Sequence, residues 1–437
     1  MWTLLSFLAM QTLALVPSQL LLSRHPPVDS KKPCTLADQI RPPPSGQLKT
    51  NTSQTQPRTS GSRANICWRA VAHDDLRLHP LYDPLPEYPP EASPSTISPL
   101  LFHRFRQDSI QWDMLHSGRL TTSIAAACVG FYEESTAKVL GVPRSLASHA
   151  RAISAWRRLC DQPLQDLSLL CQSRPPSHSR PPRVIPWKPS QGSPFPFRYT
   201  PNSGKVLSLA ETSAMRARLR WGSAQEATAI LVAVNFFSKV NASVSEVGLC
   251  PLECVDCLPQ DIETWKSEGT LPPIGASPDG IITYPDGSKE VLEVKCSSPF
   301  VSSPQGSGGY KLQLRHSYKD QGVAVWHMAQ LQLEILCAGP RCKGAVLVAL
   351  SATEGTAIYR VVRDDAYILE LLYWVRLFYI NFCMKPLAPE PDFVSIANER
   401  YTAFLDRTIC MSREANLVAR LQQSEVQRSP YNKEFFI

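Results

Sequence analysis

Residues 275–300, GASPDGIITYPDGSKEVLEVKCSSPF, contain two short apolar runs on either side of a turn sequence. The first run covers 281–284 and the second 291–294. The segment 285–288 between them reads PDGS, which suits a tight turn because proline presets φ and glycine tolerates positive φ. The pattern predicts a β-hairpin.

The hairpin brings polar residues from both strands to one edge of the predicted sheet. If Tyr284 faces Lys289, Asp279 lies level with about Glu293–Lys295. Side chains alternate between the two faces of a strand, so Glu293 and Lys295 point the same way. We therefore expect two carboxylates and an ammonium group to converge.

Carboxylates beside a lysine match the needs of Mg²⁺, which prefers oxygen ligands and retains waters for substrate phosphates. The pattern Pro278-Asp279, thirteen residues, then Glu293-Val294-Lys295 resembles the PD-(D/E)xK nuclease signature. That signature implies metal-dependent hydrolysis of a phosphodiester. The alternative interpretation is a surface hairpin with an ordinary Glu/Lys pair.

Composition favours an intracellular protein. The chain has 437 residues, enough for one large domain or two ordinary ones, and 13 cysteines, mostly dispersed. This odd number suits reduced thiols better than a secreted disulfide framework, so we favour the nucleus or mitochondrion over secretion. The net charge is +7 and comes mainly from residues 1–70, so the remainder is close to neutral.

Two local features leave alternatives open. Cys250, Cys254 and Cys257 form the sequence CPLECVDC, which either contributes to a zinc site or is only a cysteine-rich loop. Residues 1–22 are apolar but interrupted by Gln11 and Pro17, so we expect no stable membrane span.

The predicted organisation has three parts. Residues 1–98 are an apolar and then Pro/Ser-rich leader, mostly disordered because it buries too little apolar surface. Residues 99–390 form the main domain, with a Pro-rich surface insertion at 172–204. Residues 391–437 form a C-terminal tail with a helix around 415–422.

Two predicted helices each carry one polar residue on an apolar stripe. Glu226 lies on the helix 221–240, where its partner is a metal or a basic side chain. Gln330 lies on the helix 321–337. Further predictions are a helix within 109–117, a helix 124–129 capped by 121–123, a helix within 145–171, strands 345–350 and 356–362, and a helix 366–382 capped by Asp364 or Asp365.

Four separate blocks occur in a consistent order across residues 100–387: WDMLHSGRLTTS at 112–123, WGSAQE at 221–226, the hairpin with SPDG and EVKC, and MAQLQ at 328–332. Together they resemble the YqaJ-like viral recombinase family, the group of phage lambda exonuclease, within the PD-(D/E)xK superfamily. This resemblance implies a restriction-endonuclease-like α/β fold, with a central mixed sheet flanked by helices.

The resemblance also implies roles for individual residues. The metal ligands fall on Glu226, Asp279, Glu293 and the Val294 carbonyl, and Lys295 matches the motif lysine. The substrate-binding positions fall on Ser123 and Gln330. Where such enzymes often carry an arginine for the 5′ phosphate, this chain has His116, with Arg119 close by, so the preference for a 5′-phosphorylated end stays open.

The resulting expectation is a Mg²⁺-dependent deoxyribonuclease, with Mn²⁺ also accepted, acting as an exonuclease on duplex DNA ends in recombination or repair. A ring-forming trimer is expected from the resemblance only. The alternatives are a structure-specific endonuclease on the same fold and a non-cleaving DNA-binding protein.

Overall fold

The computed structural model describes residues 68–87, 99–161, 209–298, 322–351, 355–427 and 433–435. The chain divides into two units, Met1–Ala64 and Asn65–Ile437, and all of the described residues belong to the second. The predictions for residues 1–67 and for the Pro-rich insertion at 172–204 therefore lie outside the described residues.

The described residues alternate between strands and helices. The strands are β1 (Trp68–Ala70), β2 (Tyr82–Asp83), β3 (Leu120–Thr121), β4 (Ser243–Ser245), β5 (Cys250–Pro251), β6 (Ile274–Ala276), β7 (Gly280–Thr283), β8 (Lys289–Ser297), β9 (Cys342–Ser351), β10 (Gly355–Val362), β11 (Asn416–Leu421) and β12 (Lys433–Phe435). The α-helices are α1 (His73–Arg77), α2 (Ile110–His116), α3 (Thr122–Cys128), α4 (Glu134–Leu140), α5 (Ala150–Asp161), α6 (Leu209–Phe237), α7 (Gln260–Ser267), α8 (Met328–Cys337), α9 (Asp365–Phe378), α10 (Glu399–Glu414) and α11 (Gln423–Gln427).

The largest sheet has seven strands in the order β11-β10-β9-β8-β7-β4-β2. It is mixed, because β8 pairs with β9 and β2 with β4 in parallel while the other neighbours are antiparallel. A three-stranded sheet, β3-β6-β5, brings the start of α3 alongside the segment that leads into β7. The fold is thus mixed α/β with a large mixed sheet.

The predicted hairpin forms from β7 and β8, with a register one residue away from the predicted one. Thr283, not Tyr284, lies opposite Lys289. The Gly287 N–H donates to the Tyr284 carbonyl and the Tyr284 N–H to the Ser288 carbonyl, both at 2.9 Å, and Gly287 has a φ of +78°. The connection therefore has three residues with glycine in the left-handed region, a common hairpin geometry.

Helices cover both faces of the sheet. On one face, α6 packs on β8 and β9 through apolar contacts that include Ile230, Val234 and Leu292. On the other face, α8 packs on the same two strands, and α3, α9 and α10 complete the core. Successive β8 residues alternate between these layers, so Val291 joins the second core and Leu292 the first.

Two domain-level predictions are wrong in part. The leader predicted as mostly disordered over 1–98 contains β1, α1 and β2, and β2 belongs to the central sheet. The helix predicted around 415–422 is the strand β11, which pairs with β10 at the sheet edge. The folded unit therefore extends past residue 390, where the sequence predicts a tail.

Apart from the helix predicted around 415–422, the helix predictions hold with shifted boundaries. The helix predicted at 221–240 starts at Leu209, and α8 starts at Met328 after a 3₁₀ turn at Val325–His327. Asp364 caps α9 by accepting a bond from the Tyr367 N–H at 2.9 Å. Thr121 stands at the N-cap of α3, but its side chain makes no capping bond.

One helical segment among the described residues, Asp365–Cys383, is long and apolar enough to cross a membrane by length and composition. Leu371, Leu372 and Val375 of this segment are buried in the core that faces α3 and α8. Such burial is typical of a core helix.

Candidate active site

The open end of the hairpin brings Asp279, Glu293 and Lys295 together. Asp279 precedes β7, and continuing the register by one residue from the Gly280–Leu292 pair places it opposite Glu293. The Val294 N–H donates to Asp279 Oδ2 at 2.7 Å. Lys295 Nζ donates to Glu293 Oε1, so these two side chains share a face of β8. The sheet register therefore determines the relative positions of all three groups.

Helix α8 contributes Gln330 to the same face. Its Nε2 donates to Glu293 Oε1 at 2.7 Å and to Glu334 Oε1, on the same helix, at 2.8 Å. Only 4% of Glu293 is exposed. A buried carboxylate needs such donors, because burial without hydrogen bonds costs several kcal/mol.

Helix α6 brings Glu226 to the edge of this group. Its side chain is 35% exposed, and Glu226 Oε1 lies 3.7 Å from His73 Nε2 on α1. Burial raises the pKa of Glu226; the His73 and Lys295 charges oppose this shift, and the negative charge of Glu293 adds to it. The structure thus places Glu226 within electrostatic reach of the hairpin carboxylate.

The group carries more negative than positive charge. Burial raises the pKa of Asp279 well above its ordinary value, and repulsion by Glu293 and Glu226 raises it further. For Lys295, burial alone would lower the pKa, but the attraction of Glu293 and Asp279 outweighs this and the pKa is raised. Lys295 is therefore an ammonium donor, not a free base, at neutral pH.

The donor chemistry fits an oxygen-preferring divalent cation. The candidate ligands are carboxylates with one backbone carbonyl, the set that Mg²⁺ and Mn²⁺ prefer over softer sites. Among the described residues, no three His, Cys, Asp or Glu side chains lie close enough to ligate one ion as they stand. Glu293 is bonded to Lys295 and Gln330 instead. The mutual repulsion that raises the Asp279 pKa would be relieved by a cation.

The predicted substrate-binding residues lie in different environments. Ser123 is exposed at the start of α3, with its Oγ 3.1 Å from Thr121 Oγ1. His116 is buried: its Nδ1 lies 2.8 Å from the Trp112 carbonyl and its Nε2 3.2 Å from Ser277 Oγ. Arg119 is buried and forms an ion pair with Glu253. Ser123 is therefore exposed to solvent, whereas His116 and Arg119 are buried.

Sequence reasoning missed two residues of this region. Glu334 is fully buried and accepts hydrogen bonds from Gln330 and from Thr122 Oγ1, the latter at 3.2 Å. Its spacing from Gln330, four residues along one helix, is a signal that could have revealed it. His73 lies in a segment whose composition suggested disorder, and no pattern there pointed to the site.

The cysteine-rich loop shows no metal-binding arrangement. Cys250 is partly buried, and burial raises the pKa of its thiol to about 12. Among the described residues, Cys250, Cys254 and Cys257 are free thiols and belong to no group of three His, Cys, Asp or Glu side chains that could hold one metal ion. Cys250 therefore remains interpreted as part of a cysteine-rich loop.

Comparisons with known proteins add little. No family model matches the chain, and no curated protein matches it. Among solved structures, the chain is similar to an alkaline exonuclease (LHK-Exo) from Laribacter hongkongensis, with 15% identity, coverage of 63% of this chain and 93% of that chain, and a TM-score of 0.30. A TM-score of this size is too low to support an argument about fold or activity. The resemblance to the YqaJ-like family therefore depends on the four sequence blocks alone.

Proposed function

We propose that this chain is a divalent-metal-dependent deoxyribonuclease that hydrolyses phosphodiester bonds, as an exonuclease on duplex ends in recombination or repair. The observation that carries the proposal is the grouping of Asp279, Glu293 and Glu226 around a protonated Lys295 at the open end of a hairpin. Mutually repelling carboxylates with raised pKa values, such as Asp279 and Glu226, are typical of functional sites. The restriction-endonuclease-like fold is part of the same proposal.

Asp279, Glu293 and Glu226, with the Val294 carbonyl, would hold Mg²⁺ or Mn²⁺. When bound, the cation supplies a water of lowered pKa and stabilises charge on the phosphoryl oxygen. The chain's own contribution is to fix these oxygens: the Val294 N–H orients Asp279, and Gln330 and Lys295 orient Glu293. Because no three of the described His, Cys, Asp or Glu side chains lie close enough to bind one ion as they stand, the carboxylates would move together when the cation binds.

Lys295 would act through its charge. Because its ammonium group stays protonated, it can donate a hydrogen bond to the attacking water or to a phosphoryl oxygen as negative charge develops. The exposed Ser123 hydroxyl would contact the substrate without any rearrangement of the described residues. His116 and Arg119 would first have to break the bonds that bury them.

The test is cleavage of end-labelled linear duplex DNA in Mg²⁺, beside a covalently closed circle of the same sequence. An exonuclease degrades the linear DNA and leaves the circle intact, whereas a structure-specific endonuclease nicks substrates that lack ends. Products should be lost in Asp279→Ala and retained in Lys289→Ala, a lysine control at the other end of β8. DNA binding without metal-dependent cleavage would contradict the proposal and favour a non-cleaving DNA-binding protein.

Matched 5′-phosphate and 5′-hydroxyl ends extend this test. Because His116 occupies the expected arginine position and is buried, we expect the two ends to be degraded at similar rates. The ring-forming trimer is a separate proposal, tested by light scattering on the full chain.

A further inference from the structure

Glu334 is an unusual residue for the middle of a buried helix. It lies on α8 among apolar neighbours such as Leu333 and Ile335, and its exposed fraction is 0%. Its Oε1 accepts bonds from Gln330 and Thr122, while Oε2 has no hydrogen-bond partner among the described residues. Burial, and then the negative charge of Glu293, raise the pKa of Glu334 well above its ordinary value.

A carboxylate at this buried position lowers the stability of the fold, whereas a leucine at the same position would not. Buried polar groups are nearly always hydrogen-bonded, and a buried oxygen without a partner lowers stability. Polar networks that are only partly satisfied are costly, and an unsatisfied buried group in a native protein needs an explanation, of which a catalytic role is one. The unpaired oxygen therefore suggests a role beyond joining two helices.

The contacts of Gln330 connect Glu334 to Glu293. The amide nitrogen of Gln330 has two hydrogens, and they are directed to Glu293 Oε1 and Glu334 Oε1. An acceptor at Glu334 requires the nitrogen of Gln330, and not its oxygen, to lie on this side. If the amide turned over, its oxygen would face the Glu293 carboxylate, and the bond that orients this candidate ligand would be lost.

Glu334 also connects the carboxylates to the predicted substrate side. Thr122, which donates to Glu334, is the first residue of α3 and is followed by the exposed Ser123. The same carboxylate oxygen thus fixes both Gln330 and the start of α3.

We propose that Glu334 is a positioning residue of the active site, which holds the Gln330 amide so that it orients Glu293 toward a divalent cation. The inference depends on the proposed function, because it assumes that Glu293 binds metal. Residues that orient metal ligands in this way typically change metal affinity 10- to 100-fold when removed. A residue that only ties α8 to α3 would change stability and leave metal affinity unaltered.

The experiment measures Mn²⁺ affinity by electron paramagnetic resonance on the full chain, with thermal unfolding in parallel. Glu334→Leu should weaken binding about 10- to 100-fold, and Glu334→Gln should restore most of it because its amide oxygen can still accept from Gln330. The control is Gln332→Leu on the same helix. Gln332 is fully buried and joins the Val362 carbonyl (2.7 Å) to the Asp364 N–H (3.0 Å), so its loss should lower stability without changing Mn²⁺ affinity.

A second variant tests the inference if Glu334→Leu does not fold. Gln330→Leu should show the same loss of affinity, and in a folded double variant the two losses should not add. Wild-type affinity in Gln330→Leu, or in a folded Glu334→Leu, would overturn the positioning role while leaving the nuclease proposal intact. Failure of the wild type to bind Mn²⁺, or binding unchanged by Asp279→Ala, would overturn both.

Discussion

Glu290 and Glu293 lie three residues apart on β8 but have different surroundings. They are almost equally buried, with exposed fractions of 7% for Glu290 and 4% for Glu293. Glu290 forms an ion pair with Arg360 Nε at 2.8 Å and accepts a bond from the Tyr284 hydroxyl. Glu293 is bonded to Lys295 and Gln330, with Asp279 and further carboxylates in electrostatic reach.

The difference separates a structural carboxylate from the one that we propose to be functional. At the turn end of the hairpin, one carboxylate meets one guanidinium and the charges balance. At the open end, Glu226, Asp279, Glu293 and Glu334 share one lysine and a half-exposed histidine. Such an excess of carboxylates, of which Glu293 and Glu334 are buried, is unfavourable by itself, and it is the arrangement expected where a cation takes part.

Replacing Lys295 should give the largest effect, because it removes the positive charge nearest Glu293. We expect Lys295→Ala to lower kcat for cleavage of linear duplex roughly 10²- to 10³-fold in saturating Mg²⁺. The measurement is single-turnover cleavage, with Lys289→Ala on the same strand as the control. Equal rates in the two variants would remove the distinction between the two ends of β8.

At the turn end, Glu290→Gln should destabilise the protein and leave cleavage unchanged. The substitution leaves the partly buried Arg360 guanidinium without its ionic partner, at a cost of about 2 kcal/mol. Thermal unfolding, with cleavage assayed on the folded protein, gives both readouts. A stable variant with lost activity would show that this end also belongs to the active site.

At the open end, Asp279→Asn should have the opposite effect on stability. Because its raised pKa lets the native state bind more protons than the unfolded state, the contribution of Asp279 becomes less favourable as pH rises through the ordinary carboxyl range. Asparagine removes this penalty, so the free energy of unfolding at pH 7.5 without metal should rise by about 1 kcal/mol.

The sign of this effect depends on pH. Below about pH 4 the aspartate is protonated in both states, and the gain should disappear. Thermal unfolding of both proteins at the two pH values provides the test. A variant less stable than the wild type at pH 7.5 would mean that Asp279 is not held at an energetic cost.

His73 should give the smallest effect. Its contact with Glu226 is 3.7 Å long, and the two side chains are 40% and 35% exposed, so solvent screens the pair. We expect His73→Ala to change stability by less than about 1 kcal/mol and cleavage less than tenfold. A loss as large as that of Lys295→Ala would assign His73 a direct role in the reaction.

Local signals explain what could be predicted from the sequence. The PDGS turn between two apolar runs predicted β7 and β8, and Asp364 marked the start of α9, because turn and cap residues act over a few neighbours. Polar residues on apolar stripes identified Glu226 and Gln330 as residues that needed a partner. The apolar stripes do not indicate which residues are the partners of Glu226 and Gln330.

Tertiary contacts explain what could not be predicted. The segment 416–421 has no helix breaker, but pairing with β10 makes it a strand, since packing context overrides propensity. The role of Glu334 depends on Thr122, 212 residues earlier in the chain. His73 and β2 lie within the predicted leader 1–98, whose composition predicts disorder, and they are ordered by packing on α6 and pairing with β4.

The most direct test of the account is the anomalous difference density of crystals of the full chain grown with Mn²⁺. We expect a Mn²⁺ peak at the open end of the hairpin, bonded to Asp279 and Glu293, with Lys295 beside it. Manganese bound only elsewhere, or its absence from these carboxylates at saturating concentration, would contradict it.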